Sequence, residues 1–157
     1  MELLKVSMEE LVPVLQLQME SGGLAPLRVT GSSMHPTLRN YRDQVLLKKI
    51  TQRPKRPQVI LYRRDDGNYI LHRIVRDRSD GWICCGDNQW QPEFVRFDQA
   101  VAVVEAIVRK DKTYYVNQQG HGFFVWLWNA VFPLRRPILA VRRRLGRLRR
   151  NIRRKQK

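Results

Sequence analysis

The sequence predicts a mainly β chain, preceded by one short helix and followed by a cationic helical tail. Three observations carry that prediction. Short segments rich in β-branched and aromatic residues recur from Leu24 to Val116. Asp66-Gly67-Asn68 and Asp80-Gly81 stand between such segments as hairpin turns, and a helical period appears only at the two ends. Many short strands linked by tight turns imply a coiled, mostly antiparallel, barrel-like sheet. The chain divides into an N-terminal helix (1–24), a β domain (25–119) and an aromatic, then arginine-rich, tail (120–157).

At the N-terminus, Ser7-Met8-Glu9-Glu10 fits a capping box, in which the Ser7 hydroxyl and the Glu10 carboxylate each satisfy a free amide. Leu11, Val14, Leu15, Gln18 and Met19 recur at helical spacing until Gly22-Gly23 stops the pattern, and Pro13 lies early enough to be tolerated. One amphipathic helix of this size is too small for a helix-turn-helix DNA-binding domain. The first residues, Met1 to Ser7, have acids close by and no long apolar run, so they read as neither signal peptide nor membrane anchor.

The β domain offers strands at Leu27–Thr30, Gln44–Ile50, Val59–Arg63, Tyr69–Arg76, Trp82–Cys85, Val101–Arg109 and Thr113–Val116. Thr51–Pro57, with its prolines and basic residues, reads as a surface loop. Cys84 and Cys85 are adjacent, which provides neither a disulfide framework nor a CxxC pair. They read as reduced strand residues of a cytoplasmic protein.

Charge is concentrated at the other end. The 157 residues carry 30 Lys+Arg against 14 Asp+Glu, a formal net charge of +16, yet residues 135–157 alone hold 12 of those bases and no acid. Residues 1–134, with 18 bases against 14 acids, are therefore only mildly basic. Before the arginines come Phe123, Trp126, Trp128 and Phe132 in an apolar block too short to cross a bilayer, which needs about 20 residues. Ile138, Val141, Leu145, Leu148 and Ile152 then give a narrow apolar edge to a helix whose other faces carry arginines, Arg142, Arg143 and Arg144 among them. Aromatic residues beside a cationic amphipathic helix fit an anionic membrane surface, on the cytoplasmic side of the cell membrane and without spanning it. Nucleic-acid binding through counterion release is the second reading of the arginines, and a solvated charge run the third.

Three segments hold residues suited to chemistry. In Val29-Thr30-Gly31-Ser32-Ser33-Met34-His35-Pro36-Thr37-Leu38 a strand runs into a turn of small residues, a geometry that exposes a serine hydroxyl beside backbone amides. A polar turn whose serines bond their own backbone fits the same residues. In Tyr69-Ile70-Leu71-His72-Arg73-Ile74-Val75 a single histidine stands in an apolar strand, as a shielded general base or as a satisfied core residue. In Cys85-Gly86-Asp87-Asn88-Gln89-Trp90-Gln91-Pro92-Glu93, a loop at a strand end, a carboxylate follows a glycine, where it can orient an imidazole or cap a turn.

In combination these segments resemble the signal peptidase I superfamily of serine peptidases, which also includes the SOS repressors. Gly31-Ser32-Ser33-Met34-His35-Pro36-Thr37-Leu38 resembles its nucleophile box, and Arg42-Asp43-Gln44-Val45-Leu46-Leu47 and Pro57-Gln58-Val59-Ile60-Leu61-Tyr62 the boxes that follow. Leu71-His72-Arg73-Ile74-Val75 resembles the general-base box in its ER-type form, with histidine as base, and Gly86-Asp87-Asn88 the last box of that branch. Gly31, two residues before Ser33, makes the loop more similar to the SOS-repressor branch; the N-terminal anchor of a signal peptidase is not read here. The resemblance implies a mostly β fold of the signal-peptidase type and cleavage of a peptide or precursor protein after small residues, without metal or cofactor. It implies Ser33 as nucleophile and, through its backbone amide, as oxyanion-hole donor, His72 as general base and Asp87 as acidic partner. An inactive relative that binds peptide or protein is the alternative, as is a nucleic-acid binder acting through its basic tail.

Overall fold

A computed structural model describes residues 7–116, Ala130, residues 132–134, residues 137–141 and Arg144. Helix α1 spans Met8–Glu20 and begins with the expected capping box. Glu10 N donates to Ser7 Oγ at 3.3 Å, and Ser7 N donates to Glu10 Oε2 at 3.2 Å. Such a cap contributes about 1 kcal/mol. Val12, Leu15 and Met19 bury one face of the helix on the sheet, and the helix continues through Pro13.

The strands are β1 (Ala25–Arg28), β2 (Asp43–Lys48), β3 (Val59–Arg63), β4 (Tyr69–Asp77), β5 (Gly81–Cys85), β6 (Glu93–Arg96), β7 (Ala100–Arg109) and β8 (Lys112–Tyr115). They form one antiparallel sheet in the order β1-β2-β7-β3-β4-β5-β6, with β8 also paired to β7. The long β7 is the spine. It takes β2 on one side, and β3 and then β8 on the other. Both expected hairpins form, β3 to β4 and β4 to β5. Strand β6 carries no strand signal in the sequence, since only Val95 of its four residues is buried, yet it pairs with β5 from Gly81 to Cys84.

The expectation of a barrel-like sheet needs correction, because the sheet is not closed into a barrel. Strand β1 pairs only with β2, and β4 pairs with β5 only from Arg73 onward, so Tyr69–His72 keep one edge without a strand partner among the described residues. These two free edges border the same cavity instead of joining.

The core lies on both faces of the central strands. Leu61 and Val59 of β3 join α1, β1 and β2 in one cluster, while Ile60 and Tyr62 join Trp82, Cys84 and Val95 in another. Alternation along one strand thus feeds two cores. Cys84 and Cys85 are free thiols, both buried in β5, and burial pushes Cys84 up to about 12. Among the described residues no helix is long and apolar enough to cross a membrane.

Candidate active site

Ser33 sits half-buried in the turn that leaves β1. The turn starts at Gly31, whose φ of +80° favours a residue without a side chain. Met34 and Leu38 sink into the core and fix the loop, and Thr37 Oγ1 lies 2.9 Å from Met34 O. Arg109, at the end of β7, holds the far side by donating to Thr37 O at 2.9 Å and to both oxygens of buried Asp43. Burial works against ionisation of Asp43, but the hydrogen bonds from Arg42 and Arg109 outweigh it and hold the carboxyl well below the usual range.

The turn after β5 docks directly on Ser33. Asn88 N donates to Ser33 O at 2.7 Å, and Asn88 Nδ2 donates to Ser32 O at 3.2 Å. Gly86 lies so close that a Cβ there would meet Ser33 O at 2.7 Å and His72 Nε2 at 3.0 Å. Glycine is therefore the residue that lets the serine backbone and the imidazole approach the same point. With the carbonyl of Ser33 engaged, its N–H has no acceptor among the described residues.

His72 is buried in β4, and its Nε2 lies beside Gly86, on the side where Gly86 also meets the Ser33 backbone. On the opposite side, Nδ1 lies 3.1 Å from the Tyr62 hydroxyl and 3.4 Å from Glu93 Oε1. Tyr62 donates its proton to Glu93 Oε1 at 2.6 Å, and Arg64 grips both Glu93 oxygens at 2.7 and 2.6 Å. Burial and the bond to Glu93 raise the Tyr62 pKa far above its ordinary 10, so it remains a phenol with one proton. That proton is committed to Glu93. The hydrogen between Tyr62 and His72 must then come from Nδ1, which leaves the lone pair on Nε2. Burial lowers the His72 pKa below its ordinary 6.5, and the Glu93 charge opposes that shift without cancelling it. Burial raises the Glu93 pKa, but the bonds from Arg64 and Tyr62 overcome this and hold it below the carboxylate norm.

Asp87 is expected to orient His72 or to support it electrostatically, and it is anchored by Arg73 and Thr37. Its carboxylate accepts from Arg73 Nε at 2.9 Å, from Arg73 Nη2 at 2.7 Å and from the Thr37 hydroxyl, all in the buried interior. Arg73 also donates to Pro57 O at 2.8 Å. The pair ties β4 and the Gly86 turn to the Ser33 loop, and Asp87 reaches His72 through its charge, which raises the imidazole pKa slightly against the effect of burial. The carboxylate within ion-pair distance of His72 Nδ1 is Glu93. In the sequence Glu93 ends the Cys85–Glu93 segment and Tyr62 ends the Pro57–Tyr62 box, but neither is given a role there, and Arg64 carries no local signal.

Ser33 and His72 line one cavity of about 260 Å³, without a hydrogen bond between them in this conformation. Its other walls come from β1 and the turn after it, Leu61 of β3, Arg64, the first half of β4, Met8 of α1 and Gln89. Nucleophile–base hydrogen bonds commonly tighten only when substrate is bound. Among the described residues no group of three His, Cys, Asp or Glu side chains could hold a metal ion.

Of the expected membrane-binding residues, Phe132 lies in a 3₁₀ turn (Phe132–Leu134) and Arg144 is exposed. Phe123, Trp126, Trp128, Arg142 and Arg143 lie outside the described residues. Comparison with models of known protein families gives no match, and comparison with curated proteins gives none either.

Proposed function

We propose that the protein is a serine endopeptidase of the signal-peptidase-like type, with Ser33 as nucleophile and His72 as general base. One observation carries the reading. Two residues from separate branches of the sheet open on one cavity, with the imidazole lone pair on the side of Ser33 and the other ring nitrogen held from behind. In the proposed reaction Ser33 Oγ attacks a peptide carbonyl carbon while its proton passes to His72 Nε2. The unengaged N–H of Ser33 receives the oxyanion. Collapse breaks the C–N bond as the imidazolium returns that proton to the leaving amine, and water then hydrolyses the acyl-serine by the same base. Glu93, acting through Tyr62, orients the imidazole. Asp87 supports the imidazolium by charge and holds the two loops together.

The test is cleavage of a diverse peptide mixture by the folded chain and by Ser33→Ala and His72→Ala. Both substitutions should reduce the rate by three or more orders of magnitude while the melting temperature stays near that of the parent. Equal cleavage by all three proteins would reject the assignment.

A peripheral position on the inner face of the cell membrane is proposed alongside it. Ile138 and Val141 leave apolar side chains exposed on the tail helix, as an interfacial helix requires. Flotation with anionic vesicles should bind the full chain, weaken with salt and fail without residues 120–157. Binding of the tail to nucleic acid but not to vesicles would overturn this.

A further inference from the structure

The cavity beside Ser33 has a charge character that peptide-bond chemistry does not require. Its lining includes two arginines, Arg28 and Arg64, and no aspartate or glutamate. Arg64 is already matched by Glu93, as the nearby Arg63 is by Glu9 and Arg73 by Asp87. Arg28 differs. Strand β1 sends Ala25 and Leu27 inward and Pro26 and Arg28 outward, so the guanidinium stands exposed at the end of the strand that leads into the Ser33 turn. Among the described residues it has no carboxylate within ion-pair distance.

Resting on the peptidase reading above, we propose that the cleft selects peptides with an Asp or Glu side chain beside the cleaved bond, and that Arg28 is the specificity-determining residue. A substrate carboxylate would meet a planar fork able to bond it through two nitrogens. No cavity-lining acid competes for that fork. The apolar walls of Leu27, Val29, Leu61 and Leu71 concentrate the field of the unmatched charge. The same field disfavours lysine or arginine at that substrate position.

The test uses the full-length chain and a peptide mixture of diverse sequence, with matched peptides carrying Glu, Gln or Lys at the selected position. Cleaved bonds should be enriched in neighbouring Asp or Glu, and the Glu peptide should exceed the Gln peptide in kcat/KM about fivefold, the scale of an exposed ion pair. Arg28→Gln should bring that ratio toward one, and Arg28→Glu should invert the Glu-to-Lys preference. Cleavage with no acidic enrichment, or an unchanged profile in Arg28→Glu, would overturn the proposal while leaving the peptidase reading intact. If the parent chain cleaves nothing, the peptidase reading fails, and equilibrium binding of the same matched peptides by fluorescence polarisation decides this proposal. An Arg28-dependent preference for Glu would support it, and equal binding of all three peptides would reject it.

Discussion

The Tyr62 hydroxyl lies 3.1 Å from His72 Nδ1, although the two residues belong to neighbouring strands and are not directly opposite one another. Ile60 is the register partner of His72, and Ile70 that of Tyr62, so the contact is diagonal across β3 and β4. The imidazole is thereby aligned by the sheet itself. Because Tyr62 passes its own proton to Glu93, it separates the carboxylate from the ring while fixing which nitrogen carries hydrogen.

Removing that hydroxyl tests the alignment. Tyr62→Phe and Glu93→Gln should each lower kcat about 10- to 100-fold, the equivalent of one hydrogen bond to a charged or charging group. KM should change little. A single-turnover measurement on a cleaved peptide checks this, and a kcat within twofold of the parent for both variants would remove Tyr62 and Glu93 from the mechanism.

The pH profile follows from burial. Since burial lowers the His72 pKa, the neutral base should persist as pH falls through 6.5, and the acidic limb of kcat/KM should lie below that value. Glu93→Gln removes a charge that raises the His72 pKa, so its limb should move lower still. The same shift affects stability. The unfolded chain takes up the proton first, so this contribution is complete above pH 6.5 and is lost as pH falls below it. An acidic limb at or above 6.5 would contradict the burial argument.

Gly86→Ala tests the closeness of the two loops. The added methyl group would sit 2.7 Å from Ser33 O and 3.0 Å from His72 Nε2, so at least one of them must move. Activity should fall about 100-fold or more, because a displacement near 1 Å between reacting groups has that effect. Peptide turnover measured beside the melting temperature separates displacement from unfolding.

Asp87→Asn should be costly to stability first. It leaves the buried Arg73 guanidinium without its carboxylate, a loss of about 3–5 kcal/mol in unfolding free energy. Replacing both members with apolar residues should recover much of that loss in urea denaturation. A loss under about 1 kcal/mol for Asp87→Asn would show that the pair contributes little.

Much of this was legible where neighbouring residues determine structure. Ser7 and Glu10 announce helix α1, and Asp66-Gly67-Asn68 announces the β3–β4 hairpin, because capping and turn formation involve only residues close in sequence. Ser33 and His72 stood out as special residues in otherwise small or apolar surroundings. Glu93 stood in the same loop segment as Asp87, but its role was not legible, because its meeting with Tyr62 and Arg64 depends on β6 pairing with β5 and on the course of the loop before it. The open sheet was equally hidden. Whether β1 and β4 join or stand apart is set by packing across the whole domain, and no local residue pattern encodes it.

The position of β7 also governs when the domain can work during its synthesis. Ser33 follows β1, which reaches β7 through β2, whereas His72 belongs to β4, which reaches β7 through β3. Until residues 100–109 have left the ribosome, these are two hairpin assemblies with no strand between them. A nascent or prematurely terminated chain lacks the shared frame on which serine and histidine meet, so the proposed peptidase site is assembled only when translation of the β domain is nearly complete.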